Sequence, residues 1–282
     1  MKSTGERNKQ METIQLEGPD ASGLATLTLQ RPGHLNSLDG TMVEELEAAL
    51  TEVAKNQAIR VLRLTGAGRG FMAGGDLRWF AGMFASCTDP DQRREVVAEE
   101  IRSVHRTILA IDRLAIPVVA QVHGACAGFG LSLALACDLV ICASDSKITL
   151  AYTGIGTSPD GGSTYQLQRL IGRQRAMQLA LLNERIDGDT ACSWGLFARA
   201  VDRDQLEEET MRVCTQLANG PTEALGRTRK LLRDDSGTLE QVLEAEALSF
   251  GECAAGMEFS EGVQAFIEKR PPNYRSAIGG AS

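Results

Sequence analysis

The stretch VHGACAGFGLSLALACDLVICASDSKITLAYTGIGTSPDGG, residues 122–162, decides how this chain is read. It opens on a glycine-rich turn (Gly124, Gly128, Gly130), runs through an apolar segment to Ala136, Cys137 and Asp138, and continues as an apolar strand. It closes on a second turn, Ser158-Pro159-Asp160-Gly161-Gly162. Glycines in such turns permit positive φ and let a ligand approach bare backbone N–H groups. One carboxylate, Asp160, stands by itself in the second turn. Strand, glycine turn and helix in succession imply an α/β fold with ligand contacts gathered in the strand-to-helix loops. The stretch reads as an oxyanion site facing a single acid/base residue.

Upstream, residues 1–12 read as a disordered tail. Residues 14–16 and 25–29 alternate as two strands of a hairpin across Gly18-Pro19-Asp20. Residues 41–54 carry Met42, Leu46, Ala49, Leu50 and Val53 at helical spacing, with Asp39 or Thr41 as cap. A strand at 59–65 leads to Gly66-Ala67-Gly68-Arg69-Gly70. For dinucleotide binding the third glycine is mis-spaced, and no amphipathic helix with an acidic residue about twenty positions on follows, so this segment reads as a flexible loop. Phe71 to Leu77, rich in small residues, enters a helical segment containing Trp79, Phe80 and Met83; a ligand can meet free N–H groups at that entry. Residues 91–114 form a long helix with Val97, Ile101, Val104, Ile108 and Ile111 on one face, and Pro117 ends it. A strand at 118–122, the glycine turn 124–130, a helix at 131–137, strands at 139–143 and 148–150 and a helix at 163–170 complete this half.

Downstream the pattern turns helical, over 174–182, 189–194, 205–218, 222–232, 239–252 and 258–269, with one strand at 198–201. Helices that follow an α/β core commonly form a satellite layer or an oligomer interface. The expected division is a core over residues 13–202 and a helical oligomerisation region over 203–282.

The 282 residues include 43% apolar side chains, enough for a sizeable core, and carry a net charge of -8. That balance, without a long basic run, argues against nucleic acid or an anionic membrane as partner. Seven cysteines at scattered spacings without a C-x-x-C pair, and no apolar leader, fit reduced thiols in a cytoplasmic protein. The three histidines have no metal-ligand spacing, so no metal is expected, and His105 and His123 read as packing or surface residues.

Several separated blocks resemble the crotonase superfamily, the enoyl-CoA hydratase/isomerase family. Arg31-Pro32 to Asn36-Ser37-Leu38 is similar to its first motif, Phe71 to Leu77 to its A-G-x-D block, and Val122 to Asp138 to its G-x-G turn with the A-L-A-C-D helix. Gly188-Asp189 to Gly195-Leu196 and Glu261 to Arg270 resemble two further elements. The blocks come in family order over residues 13–273.

The resemblance implies a crotonase-like spiral of ββα units and a helical C-terminal trimerisation region, in a homotrimer or dimer of trimers. It implies an acyl-CoA thioester substrate and no separate cofactor, coenzyme A being part of the substrate. By motif position the two oxyanion donors fall on the N–H groups of Gly75 and Phe129, whose ring must fold away from the thioester. Two fixed amides of this kind stabilise an enolate oxygen without reorganisation. Substrate or CoA contacts fall on Leu35, Ala73, Asp76, Leu77, Gly128, Ser132 and Tyr152, with Phe266 and Lys269 reaching CoA, often across a subunit boundary. Read from residue pattern alone, Asp76 and Asp138 are structural, and Trp79, Phe80 and Met83 are either acyl-pocket lining or core.

The departures from the family pattern bear on the reaction. Where hydratases of the family carry two glutamates, this chain has Ser132 and Tyr152. The remaining carboxylate is Asp160, where dienoyl-CoA isomerases and a phenylacetate-pathway branch of enoyl-CoA isomerases carry a catalytic aspartate; that branch is the nearest in pattern. One carboxylate suits proton shuttling between C2 and C4 of an enoyl thioester, whereas hydration needs a second group for the water. The expectation is therefore Δ3-to-Δ2 enoyl-CoA isomerisation with Asp160 as base and acid. Alternatives are enoyl-CoA hydration, another reaction on a CoA thioester, or an inactive acyl-CoA-binding homologue.

Overall fold

Apolar alternation starts the main sheet. β1 (Ile14–Glu17) and β2 (Leu24–Leu29) pair antiparallel with Leu16 opposite Leu27, forming the expected hairpin. The computed structural model describes residues 11–234 and 237–279, so most of the expected N-terminal tail lies outside the described residues. Its last two positions are held. Met11 packs against the core, and the Glu12 amide donates to Glu45 Oε1 at 2.8 Å.

α1 (Gly40–Lys55) is capped by Asp39, whose carboxylate accepts the Met42 amide, and it buries Met42, Val43, Leu46, Ala49, Leu50 and Val53. β3 (Val61–Gly66) then adds parallel to β2. α2 (Leu77–Ser86) and α3 (Pro90–Arg113) cover the path to β4 (Val118–Val122), every residue of which is buried. Beyond it come β5 (Ala125–Ala127), α4 (Phe129–Ala136), β6 (Leu139–Ala143), β7 (Lys147–Thr149) and α5 (Ser163–Leu181). β8 (Arg185–Ile186), α6 (Gly188–Ser193) and β9 (Arg199–Val201) end the alternation.

Two sheets result. β1-β2-β3-β4-β6-β9 form the large one and β5-β7-β8 the small one. After β4, and again after β6, the chain crosses to the small sheet and then enters a helix: β4, β5, α4, then β6, β7, α5. Met72 makes the same crossing after β3 through a parallel bridge to Cys126. These are the expected ββα turns of a spiral. α4 is buried along its whole length, which explains why its sequence shows no amphipathic stripe.

The structure corrects several sequence expectations. The turn at 124–130 contains β5, three small residues too few to show alternation, and α4 begins two residues earlier than the apolar run suggested. The helices expected at 163–170 and 174–182 are one element, α5, interrupted at Gly172 where φ is +71°. β8 and α11 (Tyr274–Gly279) were not anticipated. The loop at residues 66–70 is held in place: Asn36, fully buried, donates to the carbonyls of Ala67, Gly70 and Phe71, and His123 Nε2 lies 3.0 Å from Gly68 O.

α7 (Leu206–Ala218) packs Leu206, Val213, Cys214 and Ala218 against Leu24, Val61, Val119 and Ile141 of the large sheet. It therefore forms a layer against the large sheet, and further helices follow it. These are α8 (Thr222–Arg233), α9 (Leu239–Ala255), α10 (Met257–Glu268) and α11. Among the described residues no helix is long and apolar enough to cross a membrane, and no three His, Cys, Asp or Glu side chains gather as a metal site.

Candidate active site

The site is built where two backbone segments meet. The first, Ala73 to Asp76, is laid against the strand-like Leu38: Leu38 N–H donates to Gly74 O at 2.8 Å, and Asp76 N–H donates to Leu38 O at 2.8 Å. Ala73 N–H donates to Leu35 O at 3.0 Å, and Leu35 itself is left-handed, with φ +51°. Ala73 and Asp76 thus spend their amides on the motif around Asn36. The Gly75 amide between them has no partner among the described residues.

The second segment is the start of α4. Gly128, at φ +53°, turns the chain from β5 into the helix, donating its amide to Thr149 O. Phe129 is the first helical residue, where an N–H has no intrahelical partner and the helix dipole is positive. The two segments touch: a methyl built on Gly74 would lie 3.5 Å from Gly128 Cα and 3.6 Å from the Phe129 nitrogen. The unpaired amides of Gly75 and Phe129 therefore belong to one locality.

Phe129 is 2% exposed, and its ring is stowed against the second turn; a Cβ on Gly161 would lie 3.0 Å from Phe129 Cδ2 and 2.6 Å from Ser132 Cβ. On the other side, Phe80 stands over Gly75, where a Cβ would come within 2.7 Å of its ring. Trp79, Phe80 and Phe84 follow one another at centroid separations of 5.1 and 6.4 Å. Asp76 caps α2 by accepting the Arg78 amide and pairs with Arg31 at 3.1 Å, while Arg31 also pairs with Asp39 at 2.9 Å. Leu77 is more than half exposed at the start of α2.

Asp160 lies half-buried on the turn between β7 and α5. The Tyr152 hydroxyl donates to its Oδ1 at 2.6 Å, and Ser132 Oγ donates to its backbone carbonyl at 3.0 Å while lying 3.4 Å from Tyr152 Oη. Ser132 and Tyr152, at positions where the resemblance placed substrate contacts, thus converge on Asp160. Burial pushes the Asp160 carboxyl above its ordinary value; the Tyr152 hydrogen bond and the neighbouring His105 pull in the opposite direction. The Tyr152 hydroxyl is pushed far up by burial and by the Asp160 charge, so it acts as a donor and not as a base.

His105 is the residue that sequence reading passed over. It stands on α3, and its Nε2 accepts the Gly161 amide at 3.2 Å. Nothing in the helical pattern distinguishes it, because its partner is 56 residues away in the chain. Phe266 and Lys269, in contrast, lie at the end of α10, Phe266 beside a pocket formed by α8, α10 and Tyr274 that includes none of the residues around Asp160. Phe266 is 85% exposed, and within one chain neither residue is brought to the carboxylate.

Residues 20–277 match the sequence family described as enoyl-CoA hydratase/isomerase. The 1,2-epoxyphenylacetyl-CoA isomerase of Escherichia coli (strain K12) is 35% identical over 254 residues, covering 89% of this chain and 95% of the relative. The crotonyl-CoA hydratase of Syntrophomonas wolfei subsp. wolfei is 32% identical over 267 residues, 94% and 98% of the two chains. A crystal structure of an enoyl-CoA hydratase from Polaromonas sp. JS666 superposes with a TM-score of 0.86 at 33% identity, covering 93% of this chain and 99% of the other.

Proposed function

The chain belongs to the enoyl-CoA hydratase/isomerase family, and from that premise we propose that this enzyme moves a double bond of an enoyl-CoA thioester from the 3- to the 2-position, with Asp160 carrying the proton. The observation that carries the reading is the Tyr152 hydroxyl 2.6 Å from Asp160 Oδ1. At the two positions where hydratases of the family are expected to hold glutamates, this chain has a serine and a tyrosine, and both serve the one carboxylate.

The carboxylate takes a proton from C2, the electron pair delocalises over the thioester carbonyl as a dienolate, and the same carboxyl returns the proton at C4. The amides of Gly75 and Phe129 are the proposed donors to the enolate oxygen, and removing one such donor typically costs about 10²- to 10³-fold in rate. The elevated proton affinity of Asp160 brings it closer to the weakly acidic carbon it has to deprotonate. No cofactor beyond the CoA of the substrate enters this scheme. Phe266 and Lys269 are proposed to meet the CoA of a neighbouring chain in a homotrimer or dimer of trimers.

Hydration is the second reading, favoured by the hydratases among the relatives. It needs a base for the attacking water besides Asp160, and a tyrosine hydroxyl held far above its ordinary range does not supply one at neutral pH. The test incubates the enzyme and an Asp160→Asn variant with 3-enoyl-CoA and 2-enoyl-CoA of several chain lengths and resolves products by mass and chromatography. Double-bond migration without mass gain, lost in the variant, is the expected outcome. A gain of one water that survives in the variant sinks the isomerase reading.

A further inference from the structure

The turn that carries Asp160 is gripped from two sides. From the α4 side and from α5, the Asp160 carbonyl accepts Ser132 Oγ at 3.0 Å, Ser163 Oγ at 3.0 Å and the Ser163 amide at 3.3 Å. From α3 there is one contact, the ring of His105 on the Gly161 amide at 3.2 Å. Gly161 is left-handed at φ +62° and wedged against Ser132 and the Phe129 ring, so its amide cannot swing to another partner without moving Asp160.

An imidazole nitrogen that accepts a hydrogen bond carries no proton, which leaves the other ring nitrogen, Nδ1, as the protonated one. We propose that His105 is a positioning residue for Asp160: by accepting the Gly161 amide at Nε2, it fixes the turn on which the proton carrier stands. This rests on the reading of Asp160 as the base.

The test compares His105→Ala and His105→Gln with the unaltered enzyme, since glutamine offers an accepting oxygen in place of the ring nitrogen. Amide hydrogen exchange of residues 157–164 is read by mass spectrometry. His105→Ala is expected to exchange roughly 3- to 10-fold faster in that segment, the equivalent of one lost hydrogen bond, and His105→Gln at the rate of the unaltered enzyme. In turnover of 3-enoyl-CoA, His105→Ala loses kcat with KM little changed, and His105→Gln recovers most of it. Unchanged exchange in His105→Ala, or a His105→Gln variant that recovers neither exchange nor kcat, overturns the proposal. The exchange measurement uses no substrate, so it decides the role of His105 even where the isomerase reading fails.

Discussion

At the scale of single residues, Asp160 combines a cost in stability with its proposed role as proton carrier. Its folded-state pKa is raised, so the stability it contributes is fully present below the unfolded pKa and is lost as pH rises through the folded one. Asp160→Asn keeps an oxygen for the Tyr152 hydroxyl while removing the half-buried charge. The variant is therefore expected to melt higher than the parent at neutral pH, with the gain vanishing on acidification, while isomerisation falls about 10²- to 10⁴-fold. Thermal melts at two pH values and one rate assay check both halves. Tyr152→Phe acts in the opposite sense on the carboxylate. The hydroxyl stabilises the ionised form, so without it the proton affinity of Asp160 rises further and the acid limb of kcat moves to higher pH. A limb that stays in place or moves down shows that the hydroxyl does not tune the base.

At the scale of elements, α8 is attached to the core through two guanidinium groups, those of Arg229 and Arg233. Arg229, 8% exposed, bonds both oxygens of Asp138 and the carbonyls of Ile111, Asp112 and Leu114 at the end of α3. Asp138 in turn accepts the Val118 amide at the start of β4 and pairs with Arg233. The cluster satisfies carbonyls that the C-terminus of α3 would otherwise leave unpaired. Arg229→Ala leaves Asp138 with Arg233 and the Val118 amide but strips the Ile111, Asp112 and Leu114 carbonyls of their donor, and is expected to cost about 1–3 kcal/mol, a fall in Tm of a few degrees. Arg229→Lys restores charge without the planar fork and should recover only part of it. Calorimetry on the two variants measures the difference, and equal recovery by lysine sinks the fork argument. α3 thus carries two loads, the Arg229 anchor at its end and His105 in its middle.

At the scale of the whole molecule, α9 buries none of its side chains within one chain, leaving Leu239, Leu243, Leu248 and Phe250 between 55% and 74% exposed. α10 adds Phe266 and Ile267 to these exposed side chains. Patches of this kind mark protein interfaces, and the trimer implied by the family resemblance is the proposed cover. Sedimentation of a Leu243→Glu, Phe250→Glu double variant is expected to give the mass of a single chain where the parent gives three or six. Retention of the parent mass shows that the assembly, if present, uses another face.

Much of this protein was legible in its sequence because the information is local. The periodicity of α1 announced its buried stripe, the glycines at 74, 75 and 128 marked the two turns where the Gly75 and Phe129 amides are left without a partner among the described residues, and the absence of glutamate at 132 and 152 narrowed the proposed chemistry. β5 escaped because three small residues carry no period, and the place of α7 against the large sheet escaped because a helix pattern does not say which sheet it covers. The grip on Asp160 could come only from the tertiary structure. Tyr152 reaches that turn from 8 residues away, and His105, on a long helix, contacts Gly161 from 56 residues away across several strands. Hydrogen bonds between side chains so separated depend on where the folded elements come to rest, and no spacing along the chain encodes that.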